Sequence, residues 1–193
     1  MCIRDSFSEV AAALDGADAV LITHEHPDHL DVDQLREAGL RNPRLQVWAP
    51  ASVAEQLSDL GEQVTVAEPG QAFDAAGFPI RAFGGQHAVI HPTIPVIPNV
   101  GYLVADTVFH PGDSLIVPPA AVQVLLAPLH APWSKLSEVI DFAVAVRAPK
   151  VLNLHDVLLT DVGRNMVEGQ LGRIAGQFGC EFQHLAPAET LDV

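Results

Sequence analysis

The chain has 193 residues, 49% of them hydrophobic, which is enough for one domain with a substantial core. Its formal charge of −14, from 24 acidic residues against ten basic ones, disfavours nucleic acid and anionic membrane surfaces as partners. Cys2 and Cys180 sit at opposite ends in no disulfide or metal-type spacing, no apolar run reaches membrane-spanning length, and the N-terminus lacks a signal-peptide pattern, so a cytoplasmic protein is expected.

Residues 7–15 have the composition of a short helix that Gly16 stops. The segment 17–23, ADAVLIT, reads as a buried strand, and it runs directly into His24, Glu25, His26, Pro27, Asp28 and His29. Two imidazoles at i and i+2 on an extended segment point the same way, so His24 and His26 can reach one cation. Pro27 keeps His26 extended, and a turn after it lets Asp28 and His29 face a second cation a few ångströms away. Glu25 alternates with the pair and points away from it. The place is also suitable, because open α/β sheets build their sites at the C-terminal ends of strands.

Asp31 or a neighbour caps a helix over 32–39 that Gly39 ends. A strand over 45–49, a helix over 51–60 introduced by Pro50 and Ser52, and a strand over 64–68 follow. From residue 71 the pattern changes to short strands, QAFDA, FPIRAFG, VGYLVA and TVFH, read as antiparallel hairpins with a tight turn at Ala105-Asp106. Alternation returns with a strand over 122–128, a helix over 134–147, the strand KVLNL at 150–154, a helix over 162–178 and a closing strand over 181–186. Two α/β portions flanking a β-rich middle predict an α/β fold: a four-layer αββα sandwich in a single domain spanning 1–193.

The His-x-His-x-Asp-His run resembles the signature of the metallo-β-lactamase-fold hydrolases, and later residues extend the likeness. These are His87 in FGGQHA, Asp113 in HPGDS and His155 in VLNLHD. The resemblance implies that His24, His26 and His87 hold one metal and Asp28, His29 and His155 the other, with Asp113 bridging. It covers residues 19 to about 185, and the GGQH, HPGDS and VLNLHD elements are most similar to the branch that includes the ascorbate-phosphate lactonase. The family normally carries several strands before the metal loop, whereas eighteen residues precede Ala19 and MCIRDS does not read as a strand. An N-terminally truncated domain with an exposed sheet edge is therefore expected.

The chemistry so implied is that of a dinuclear metal-dependent hydrolase, in which a hydroxide held between two cations attacks an ester-type bond of a small-molecule substrate: a lactone, a phosphodiester or a relative. Zn2+ suits the histidine-rich set, and Mn2+ or Fe2+ suit the carboxylates. A glyoxalase-type thioester hydrolase shares the ligands, and a non-catalytic metal-binding domain acting through a partner is the rival from another class. Homo-oligomer formation is left open. Among the remaining histidines, His130, at the end of VQVLLAPLH, is the candidate to contact substrate or protonate a leaving group. His91 is read as lining the pocket or as a solvated loop residue, His110 as a structural hydrogen-bonding group and His184 as outward-facing. Trp133 is read as core packing or an apolar wall of the site, and Lys135 as a solvated helix-start residue.

Overall fold

The computed structural model describes residues 10–187 and 189–193. Helix α1 (Val10–Leu14) precedes β1 (Ala19–Leu21), α2 (Val32–Arg41), β2 (Gln46–Ala49), α3 (Ala51–Gln56) and β3 (Val64–Val66). The three strands form a parallel sheet in the order β1-β2-β3, with Val20 opposite Val47 and Val47 opposite Val64. Leu35, Leu45, Val47, Val53 and Leu57 form the core between this sheet and its helices. The expected helix over 7–15 is described only from Val10, so its first turn and Cys2 lie outside the described residues.

Seven strands make the second sheet, in the order β10-β9-β8-β7-β6-β5-β4. They are β4 (Ala72–Ala75), β5 (Phe78–Gly84), β6 (Val100–Val104), β7 (Val108–His110), β8 (Val124–Pro128), β9 (Lys150–Leu154) and β10 (Glu181–Gln183). Strands β4 to β7 pair antiparallel and β7 to β10 pair parallel, with α4 (Leu136–Val146) between β8 and β9 and α5 (Asp161–Ala175) between β9 and β10. The tight turn between β6 and β7 lies where expected, with Ala105 and Asp106 both at positive φ, 51° and 50°, as a hairpin of this twist requires.

Strand alternation assigns the layers. On β8, Leu125 and Ala127 face the core shared with Val139, Phe142 and Leu171 of the helices, while Val124 and Leu126 face the opposite side. On β6, Val100 and Tyr102 join Trp48 in the core between the sheets. The result is the expected αββα sandwich. The Tyr102 hydroxyl donates to the Ile22 carbonyl at 2.9 Å and so pins the end of the first sheet to the second just before the His24–His29 loop. Burial pushes the Tyr102 pKa above its ordinary value, so the hydroxyl stays a donor.

Several boundaries differ from the sequence reading. Gly39 does not end α2, which continues to Arg41; Leu60 Cδ1 lies 2.8 Å from where a Cβ would stand, so this glycine serves close packing instead. The helix expected over 51–60 stops at Gln56 and gives way to a 3-10 segment, Ser58–Gln63, kinked at Gly61. Helix α5 likewise stops at Ala175 before a 3-10 turn, Gly176–Phe178. The Asp31 cap is present, with its carboxylate accepting from Gln34 N at 3.0 Å. Among the described residues β1 is an edge strand, and a groove of about 480 Å³ runs along it between the sheets, reaching His29 and His110 at one end. Among the described residues no helix is long and apolar enough to cross a membrane.

Candidate metal centre

Four strands deliver their following loops to one place. Strand β1 runs on through Ile22 and Thr23, which bond Trp48 O and Val100 N across the two sheets at 2.9 Å each. The loop that follows turns at residues 26–30, where the His26 carbonyl accepts from both His29 N and Leu30 N at 2.9 Å. That turn sends His24 and His26 one way and Asp28 and His29 the other. His87 follows β5 after Gly84 and Gly85, whose φ values of +94° and +132° make a bend that an L side chain resists. Asp113 follows β7, and His155 follows β9 in the left-handed region at φ 56°. Holding a non-glycine residue there costs about 1 kcal/mol or more, a strain typical of functional positions.

The expected ligands are brought together in two groups. The candidate donor atoms of His24, His26, His87 and Asp113 lie within 4.8 Å of one another, and those of Asp28, His29 and His155 do the same. The groups adjoin, with the rings of His24 and His29 4.1 Å apart. Asp113 lies between them: its Oδ1 is 3.2 Å from His29 Nε2, and its Oδ2 is 3.3 Å from His87 Nε2 and 3.6 Å from His155 Nε2. Asp28 Oδ2 is 3.3 Å from His155 Nε2. Glu25 contributes to neither group.

A test of whether these residues suit a cation lies in the atoms left over. His24 Nε2, His29 Nε2, His87 Nε2 and Asp113 Oδ1 are buried without a hydrogen-bond partner among the described residues. The contacts of Asp113 with His29 and His87, at 3.2 and 3.3 Å, are short enough for ion pairs, yet neither imidazole nitrogen is aligned in a hydrogen bond, which is the geometry of donors aimed at a common centre. Buried polar atoms left unpaired in this way cost about 1–3 kcal/mol each, so several in one cluster point to a missing charge. The tautomers agree. His87 Nδ1 donates to the Ala88 carbonyl at 2.6 Å and His155 Nδ1 to the His130 carbonyl at 2.8 Å. A carbonyl only accepts, so Nδ1 carries the proton and Nε2 offers its lone pair to the centre.

Charge is tuned in the same direction. Burial, reinforced by the His29 imidazole, lowers the His24 pKa to about 2, so it is neutral and able to bind a metal at neutral pH. Burial also lowers that of His26. The neighbouring His155 imidazole lowers Asp28 to about 2, against the opposing effect of burial. Burial raises Asp113, but the contacts with His29 and His87 outweigh it and hold the carboxyl far below the usual range. Two carboxylates thus stand ionised beside the neutral imidazoles of His24 and His26.

Sequence reasoning missed two residues that hold Asp113. Trp133 Nε1 donates to Asp113 Oδ2 at 2.9 Å, with its indole edge-on to His87 at 5.9 Å. Trp133 was expected as packing or wall, and nothing local in the sequence reveals a bond to a residue twenty positions away. Asn99, fully buried, accepts from Asp113 N at 3.0 Å and donates to Pro111 O at 2.9 Å, clamping the loop from both sides. Its place just before a strand was the available hint.

The other histidines separate clearly. The backbone of His130 orients His155, and its half-buried side chain makes no hydrogen bond among the described residues. His110 Nδ1 accepts from Gly112 N at 3.0 Å and shapes the Asp113 loop, as expected of a structural group. His91 is exposed and bonded to Thr93. His184 is not simply outward-facing: it is half-buried and pairs with Glu168 at 2.7 Å. Lys135 is exposed and paired with Glu138.

A family model described as a beta-lactamase superfamily domain matches residues 5–131. The chain belongs to the metallo-β-lactamase superfamily. This is a superfamily of metal-dependent hydrolases, and the His/Asp groups are able to bind metal. The chain is 40% identical over 171 residues to Protein Rv0786c of Mycobacterium tuberculosis, covering 86% of this chain and 79% of that one. Igni18, a metallo hydrolase from Ignicoccus hospitalis, shares the fold at a TM-score of 0.67 and 20% identity, covering 90% of this chain and 78% of its own. The metallo-beta-lactamase fold protein YhfI of Bacillus subtilis does so at 0.65 and 18%, with 89% and 75% covered. CmlA, a diiron β-hydroxylase of Streptomyces venezuelae, matches at 0.63 and 15%, with 87% of this chain and 43% of that one covered.

Proposed function

We propose that this chain is a dinuclear metal-dependent hydrolase that cleaves an ester-type bond in a small molecule, a lactone, phosphodiester or related group. The observation that carries the reading is the convergence of imidazole nitrogens from three loops on the two oxygens of Asp113, which a fourth loop supplies. In this reading His24, His26 and His87 hold one cation, Asp28, His29 and His155 the other, and Asp113 lies between them. Five imidazoles with two carboxylates suit Zn2+, and Mn2+ or Fe2+ are the alternatives. When bound, such a pair supplies a water acidified to near-neutral pKa and a Lewis acid for the oxygen of the attacked group.

The chain's own residues do the rest. The carbonyls of Ala88 and His130 fix the rings of His87 and His155, so that no reorientation is needed when the ions or the substrate arrive. Asn99 and Trp133 hold the bridging carboxylate against rotation from its backbone and side-chain ends. The His130 side chain, free of hydrogen bonds among the described residues and next to His155 in the fold, is the group assigned to contact substrate or pass a proton to the leaving group.

Elemental analysis of protein purified without added metal, with Asp113→Ala in parallel, tests the reading. About two equivalents per chain, reduced in the variant, and hydrolysis of at least one ester-type substrate are expected. One equivalent or none in folded protein would exclude the dinuclear mechanism. Two equivalents without turnover on lactone, phosphodiester and thioester panels would favour a metal-binding domain that acts through a partner.

A further inference from the structure

The loops that carry the ligands are lined at the surface by aliphatic side chains and lack cations. Residues 88–98, directly after His87, read AVIHPTIPVIP. His87 N bonds Ile97 O and Gly85 N bonds Asn99 O, both at 2.9 Å, so the segment leaves and returns at the metal group as a closed excursion. Within it Val89 is 58% exposed, Ile94 46% and Val96 44%. Pro92, Pro95 and Pro98 restrict its backbone, so these side chains are displayed with little entropy left to lose on binding.

The same pattern follows Asp113 and His155. Ile116 and Val117, three and four residues after Asp113, are exposed, and Ala88 N donates to Asp113 O at 2.8 Å, which joins this loop to the excursion at its root. Ile116 Cγ2 also lies 3.5 Å from where a Cβ on Gly84 would stand, at the foot of the same bend. Val157 and Leu158, two and three residues after His155, are exposed as well. Single exposed aliphatics are ordinary, but here they recur within four residues of three separate ligands.

Charge makes the preference specific. Residues 84–99, 111–122 and 155–160 contain neither lysine nor arginine. An anionic phosphate or carboxylate substrate is ordinarily held by guanidinium or ammonium groups beside the reacting centre, and these loops offer none.

We propose that this rim binds the acyl or alkyl portion of an uncharged ester or lactone, so that the substrate class is apolar esters and not phosphodiesters. The inference rests on the hydrolase reading above. Substrate discrimination then comes from chain length, each methylene being partly withdrawn from water against Val89, Ile94, Val96 and the aliphatics that follow Asp113 and His155. At half the ~0.8 kcal/mol of full burial, each added methylene raises kcat/KM about twofold.

The test uses metal-loaded protein and the p-nitrophenyl esters from acetate to octanoate beside bis(p-nitrophenyl) phosphate. An increase in kcat/KM on the order of fiftyfold across the ester series is expected, with the phosphodiester slower than the octanoate. The triple substitution Val89→Ser, Ile94→Ser, Val96→Ser is expected to lower the octanoate-to-acetate ratio severalfold at unchanged metal content. Calorimetric binding of octano- and acetohydroxamate gives a readout without turnover, the longer ligand binding more tightly. A flat ester series with equal hydroxamate affinities, or preference for the phosphodiester, overturns the apolar-substrate inference and leaves the hydrolase reading standing. Chain-length-dependent hydroxamate binding without hydrolysis of any ester overturns the hydrolase reading and leaves the apolar rim.

Discussion

Replacing Gly112 by alanine should be among the most damaging single-methyl additions in this protein. Gly112 sits at φ +64°, where an L side chain costs about 1–2 kcal/mol. Its added Cβ would overlap Asn99 Oδ1 and stand 2.8 Å from Thr23 Cβ and 3.0 Å from Asn99 Cγ. Asn99 is fully buried and bonded at both ends of its amide, so it moves only by giving up its bonds to Asp113 N and Pro111 O. Leaving those groups unsatisfied costs about 1–3 kcal/mol each, and the sum is at least about 3 kcal/mol. Gly77→Ala is the control: its φ is +84°, but nothing lies within 4 Å of the added Cβ, so only the backbone cost of about 1–2 kcal/mol applies. Urea unfolding of both variants, stripped of metal, measures the difference. Gly112→Ala should also lose metal, because the displaced loop carries Asp113. Equal midpoints for the two variants would refute the Asn99 clamp.

Trp133→Phe keeps an aromatic ring beside His87 but removes the 2.9 Å bond to Asp113 Oδ2. Metal affinity, measured by chelator competition, should weaken about tenfold or more, and an unchanged affinity would show that the indole is only packing. Acid should destabilise the metal-free protein well above the carboxylate range. The His24 pKa is lowered by burial from 6.5 to about 2, so below 6.5 the unfolded chain takes up a proton that the folded chain refuses. Its contribution is present in full above pH 6.5 and is lost as pH falls toward 2, amounting to about 2 kcal/mol between pH 7 and pH 5. His110, lowered to about 4 chiefly by burial, acts in the same direction. Urea midpoints at pH 7, 6 and 5 on chelator-treated protein check this, and a flat profile would contradict it.

The candidate ligand groups were legible because ligand spacing is a local property. His24, His26, Asp28 and His29 fall within one loop, and the strand before them places it. His87, Asp113 and His155 were found through the family resemblance and the turn residues before them, Gly84-Gly85 and Gly112. What the sequence could not display are contacts between distant segments. The bond from Trp133 to Asp113 spans twenty residues, and Tyr102 reaches Ile22 across eighty. Helix ends failed for a related reason. Gly39 looks like a stop in isolation, but Leu60 packs onto it from another segment and the helix continues, a tertiary contact overriding a local preference.

The same division explains why the site suits cations. Local sequence supplies many donors cheaply, but the fold then buries His24, His29, His87 and Asp113 nearly completely. Burial keeps the His24 imidazole neutral, while the contacts with His29 and His87 keep Asp113 ionised despite its burial. The scaffold holds this arrangement from outside, through the carbonyls of Ala88 and His130, the Asn99 amide and the Trp133 indole, each of which fixes the orientation of a donor. Stability invested in those contacts is therefore spent on orientation, and a cation that binds only the folded arrangement returns it as binding energy.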